Sequence, residues 1–145
     1  MQKRKDIFCP YCHARAILRP NEFVYGAGAD PGFVYACKNY PHCDAYVGAD
    51  IHQKPKGTLA NAQLRRLRIE AHRGIKKIIQ MRHMPQHEVY QLLRYHFALN
   101  EKQMHIGKMG EYMCRQIIDY ADEITRAGPI ARRAPERRSC ECPHP

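Results

Sequence analysis

Four cysteines within the first 43 residues, spaced C-x2-C-x24-C-x5-C, constrain this chain more than any other feature. Cys9 and Cys12 bracket "PY", and Cys37 and Cys43 bracket "KNYPH". Structural zinc takes four tetrahedral ligands, often all thiolates, and two short-spaced pairs joined by a hairpin can deliver them. A ribbon of about 50 residues buries too little apolar surface to fold unaided, so the metal would supply the missing free energy.

The first pair alone admits a second reading. Cys-Pro-Tyr-Cys after an apolar pair is also the form of a glutaredoxin-like dithiol. That chemistry needs Cys12 to open a helix, whose N-terminus lowers the thiol's pKa. Instead "HARAILRPNE" meets Pro20 within eight residues, and no strand–helix–strand pattern follows. The expected ligands of one structural Zn2+ are therefore Cys9, Cys12, Cys37 and Cys43. His13 and His42 are spare donors beside a shell that four cysteines already fill.

The chain has 145 residues and seven cysteines, and its net charge is +10. Four thiolates on one Zn2+ would lower that by two, to about +8, which still favours polyanionic partners, nucleic acid first. Seven cysteines without a secretory leader argue for metal binding rather than a disulfide framework. "MQKRKDIFCP" has no apolar leader core and no apolar run reaches membrane-spanning length, so the expectation is a cytoplasmic protein with no membrane partner.

The expected architecture is α+β, with a four-cysteine zinc ribbon over 1–57, a helical module over 58–125 and a disordered basic tail over 126–145. Phe23–Tyr25, Phe33–Cys37 and Ala45–Ala49 read as strands, with "GAGADPG" as a hairpin loop and "HQKPKG" as a polar linker. Asn61 can N-cap a helix carrying Leu64, Leu67, Ala71, Ile75 and Ile78 on one side. Arg65, Arg66, Arg73, Lys76 and Lys77 fall opposite, within about 120° of the helical wheel. Two residues break the pattern: Ile69 falls among the cations and Arg68 beside the apolar stripe. A second helix begins near Pro85, with Val89, Leu92, Leu93 and Phe97 inward, and a third carries Tyr112, Met113, Ile117, Ile118 and Ala121. Residues 58–97 alone carry a net charge of +6.

"CPYC" with "CKNYPHCDAYVG" resembles the C-terminal zinc ribbons of bacterial type I topoisomerases, which contact single-stranded DNA. His13 stands where those ribbons usually have glycine, at a turn that often needs a positive φ. Over roughly residues 8–120, "GTLAN", "LRRLRIEAHR" and "HIG" with Cys114 are similar to a family of small phage and bacterial proteins. That family is described only as zinc-finger-containing, so the resemblance implies a ribbon plus helices and no activity.

The function expected is low-specificity nucleic-acid binding, DNA before RNA, with some preference for single strands. Arg65, Arg66, Arg73, Lys76 and Lys77 would meet phosphates, and Tyr40, set between the second cysteine pair, would stack on bases. A competing reading is a protein-interaction adaptor in which zinc is purely structural. A third is an enzyme using His72, His105 and Cys114, with His72 expected to face the other helices. Cys140 and Cys142, with His144, form a tail C-x-C better suited to adventitious metal than to a built site.

Overall fold

The segment after Cys12 runs on as a strand. The computed structural model describes residues 5–126. Strand β1 (Ala16–Pro20) pairs antiparallel with β2 (Phe33–Cys37), which pairs antiparallel with β3 (Tyr46–Gly48). The register sets Ala16 opposite Cys37 and Leu18 opposite Tyr35, so the hairpin carries one cysteine pair back to the other. Two strand expectations therefore change. Ala16–Pro20, not among the expected strands, forms β1, and Pro20 ends it where its missing N–H costs nothing. Phe23–Tyr25 forms a single helical turn, α1 (Glu22–Tyr25), because the Val24 and Tyr25 amides donate to the Asn21 carbonyl.

Helix α2 (Ala62–Arg82) starts where Asn61 was expected to cap it: the Asn61 side chain accepts the Leu64 amide at 2.9 Å. Leu64, Ala71, Ile75 and Ile78 are buried, and Leu67 packs at their margin. After His83, at φ 51°, the chain turns into α3 (Gln86–Phe97), which buries Val89 and Leu93. A short 3-10 turn, Ile106–Lys108, leads into α4 (Glu111–Arg126), which buries Cys114, Ile117, Ala121 and Ile124. Tyr112, in the first turn of α4, lies 73% exposed. Helices α2 and α4 cross so closely at Gly74 that a Cβ there would stand 2.9 Å from the Cβ of Ala121.

Two cores result. Cys9, Tyr35, Cys37, Ala45 and Leu59 form the ribbon's, and the buried faces of α2, α3 and α4 form the other. Leu59 packs with the ribbon and Ala60 pairs with Tyr46, while Thr58 donates to the Gly107 carbonyl at 2.9 Å. Residues 57–60 thus belong to both halves. Gly57 has no room for any side chain, since a Cβ would lie 1.9 Å from the Gly107 oxygen.

Arg68, out of phase in the sequence, is the bolt. It is 8% exposed and donates to the Thr58 carbonyl at 2.8 Å and the Thr58 hydroxyl at 2.7 Å. It also donates through two nitrogens to the Met109 carbonyl, at 3.0 and 3.1 Å. A planar guanidinium can satisfy both sides at once, and a lysine cannot. Arg68→Lys should therefore cost about 2 kcal/mol or more in urea unfolding, because buried carbonyls lose their donors. Ile69→Ala, one residue on and 51% exposed, should stay within about 0.5 kcal/mol of the parent.

Candidate functional site

Each cysteine pair is held by a tight backbone turn. Around the first, the Cys9 amide donates to the Ala14 carbonyl at 2.7 Å and the His13 amide to the Cys9 carbonyl at 2.9 Å. His13 takes φ 63°, the left-handed conformation that its position relative to the topoisomerase ribbons implied. Around the second, Tyr40 donates to the Cys37 carbonyl at 2.9 Å and Cys43 to the Asn39 carbonyl at 3.0 Å.

The four sulfurs converge. Cys9 and Cys43 stand 3.6 Å apart, Cys12 and Cys37 3.3 Å apart, and all four lie within 4.8 Å of one another. Sulfurs about 2.3 Å from a central Zn2+ at tetrahedral angles would be about 3.8 Å apart, so the donor set fits one zinc ion. Cys9 and Cys37 are buried, Cys43 half-buried and Cys12 exposed, so the centre sits at the rim of the ribbon core. The Ala14 backbone N–H, helped by the Cys37 thiol, lowers the Cys12 pKa to about 6. Burial pushes Cys37 up to about 12 and also raises Cys43. The Asn39 side-chain amide also donates to the Cys12 sulfur, at 3.5 Å.

The knuckles also cap α2. Asp44, directly after Cys43, accepts the Ala62 amide at 3.0 Å, and Tyr11, between Cys9 and Cys12, accepts the Asn61 amide at 3.2 Å. These are orphan donors of the helix N-terminus, where a carboxylate is favoured. Sequence reasoning missed both caps, although Asp44 adjoining a ligand and lying 17 residues before Asn61 offered no periodic signal.

The expected cations divide into two groups. Arg66, Arg73, Lys76 and Lys77 are exposed along α2, on the side away from its buried residues. Arg65 is instead half-buried: it donates to the carbonyls of Asp44 and Ala60 at 2.6 and 2.5 Å, and its guanidinium lies 3.8 Å above the Tyr46 ring. Arg65 ties the helix to the ribbon. Tyr40 is half-buried, with Phe23 and Tyr46 centred 5.5 and 6.2 Å away.

His72 is exposed rather than turned towards the other helices, His105 is exposed, and Cys114 is fully buried. His105 lines an open groove of about 610 Å³ with His87, Tyr90, Arg94 and Glu101. Among the described residues, the four cysteines are the one group of three or more His, Cys, Asp or Glu side chains placed to hold a metal. Cys140, Cys142 and His144 lie outside the described residues, as does the expected tail beyond Arg126. Among the described residues, no helix is long and apolar enough to cross a membrane.

A three-stranded ribbon with a four-thiolate centre, joined to a helical module, defines an α+β zinc-ribbon protein. The chain belongs to the family of zinc-finger-containing domains, which it matches over residues 5–124. No curated protein and no solved structure matches it.

Purified protein should carry one Zn2+ per chain by elemental analysis, and the Cys37→Ser Cys43→Ser double variant should carry none. Chelation should abolish the ribbon's near-ultraviolet signal and fray the first turn of α2, leaving most helical circular dichroism intact. Zinc takes thiolates, and burial favours the thiol at Cys37 and Cys43, so binding releases protons and affinity falls as pH falls. The fall should steepen below about pH 6, where Cys12 also protonates, in a chelator competition run across that range.

Proposed function

We propose that this is a zinc-ribbon protein that binds nucleic acid with low sequence specificity, DNA before RNA, gripping the phosphate backbone through the outer face of α2. One observation carries this reading. Arg66, Arg73, Lys76 and Lys77 are exposed on one side of α2, and among the described residues none has an acidic partner within 4.0 Å. Their opposite side is committed to the core, so this orientation is fixed by Leu64, Ala71, Ile75 and Ile78. The helix holds the cations along about 16 Å of axis from Arg66 to Lys77, a rigid line for a charged backbone. Contacts of this kind are sequence-independent, because phosphates carry no base information.

Arg65 is not assigned a phosphate. Its guanidinium already serves Asp44, Ala60 and the Tyr46 ring, and its role is to aim α2 relative to the ribbon.

Changing Arg66, Arg73 and Lys77 together to glutamine should weaken binding to every sequence alike. On single strands each lost phosphate contact removes about 0.7 from the slope of log affinity against log salt, so the slope should flatten by about two. Zinc content and unfolding midpoint should be unchanged, because the three side chains are solvated. Equal binding by the triple variant and the parent would move first place to the adaptor reading.

A further inference from the structure

Helix α1 is a single turn that buries nothing: none of Glu22–Tyr25 is a buried residue, yet two of the four are aromatic. Phe23 is 42% and Tyr25 58% exposed. The ribbon does not need them as core, since Tyr35 and Leu59 fill that role. Both rings lean on two half-buried tyrosines beneath. Phe23 meets Tyr40, Tyr40 meets Tyr46 edge-on, and Tyr25 meets Tyr46 edge-on at 5.8 Å. The lower pair fixes the upper pair in place.

Cations bound this ring surface at both ends. The Arg19 guanidinium lies 4.8 Å from the Phe23 centroid, and that of Arg65 lies 3.8 Å from the Tyr46 centroid. Arg65 is also the residue at which the ring surface meets the start of α2 and hence its outward cations. Aromatic rings flanked by guanidinium groups beside a basic track suit a chain that presents flat bases on an anionic backbone. A duplex keeps its base faces stacked internally and cannot use them.

We infer that Phe23 and Tyr25, backed by Tyr40 and Tyr46, form a platform on which unpaired bases of single-stranded DNA stack while the backbone continues onto α2. The inference rests on the nucleic-acid reading above and adds to it the strand state and the place where bases lie. DNA is preferred to RNA because an apolar ring surface gains from the thymine methyl and has no ribose hydroxyl to desolvate.

The chain contains no tryptophan, so Tyr25→Trp in the full zinc-loaded protein is a single reporter at the platform. Adding an oligothymidylate should quench its emission, and adding a duplex of equal length should not. In parallel, Phe23→Ala Tyr25→Ala should weaken oligothymidylate binding at least about fivefold per ring, leaving duplex affinity and the salt slope unchanged. Zinc content should stay at the parent's value while the unfolding midpoint drops only slightly through the lost ring contacts, and Tyr25→Phe should retain most of the affinity, because the ring and not its hydroxyl stacks. Parent-like single-strand binding by the double variant, or binding without quenching, would overturn the platform and leave the α2 cations standing. Tighter binding of oligouridylate than of oligothymidylate would overturn the choice of DNA. A parent that binds no oligonucleotide at low salt would overturn the platform together with the reading beneath it.

Discussion

Everything else in this molecule depends on the ribbon holding the first turn of α2. The amides of Asn61 and Ala62 are orphan donors, and their acceptors are Tyr11 and Asp44, one from each cysteine knuckle. The backbone turns that carry the cysteine pairs are the same ones that aim those acceptors. The direction of α2, and of the cations along it, is therefore linked to the cysteine site through two hydrogen bonds of ordinary length. Arg65 tightens the same corner by serving two carbonyls and a ring at once.

This linkage explains residues that the sequence marked without explaining. "GTLAN" and "HIG" are 44 residues apart, and in the fold Gly57 and Gly107 touch with no space for a side chain. Arg68, in "LRRLRIEAHR", reaches from Thr58 to Met109 across the same joint. These shared motifs are accounted for by architecture: they seal the ribbon against the helices.

What was legible beforehand follows from which interactions are local. The cysteine spacing carries its own geometry, so the metal centre could be read from it. The Asn61 cap and the apolar stripe of α2 are likewise written within one helix, and both are found. Strand β1 was not legible, because Ala16–Pro20 shows little alternation and owes its form to pairing with β2. α1 was not legible either, since Phe23–Tyr25 has strand-forming residues and only the Asn21 carbonyl turns them. Arg65 and Arg68 lie on neighbouring positions of the same flank of α2, and a helical wheel cannot show that carbonyls of Asp44, Thr58, Ala60 and Met109 are waiting there.

The division of labour among the arginines of α2 bears on how binding surfaces should be sought in such chains. A run of cations at helical spacing looks uniform in sequence, but the guanidinium groups of Arg65 and Arg68 are already satisfied by protein carbonyls and have little capacity left for a phosphate. Those that remain solvated are the ones whose loss should cost binding without costing stability. In α2 the two populations differ by a rotation of the helix rather than by residue type. Arg65 and Arg68 stand on the ribbon side and hold the fold together. Arg66 and Arg73 stand on the open side, kept there by the same burial of Leu64, Ala71 and Ile75 that locks the others in. The core thus sets which cations are structural and which face outward, and any phosphate contact this helix makes is decided by how its apolar face is packed.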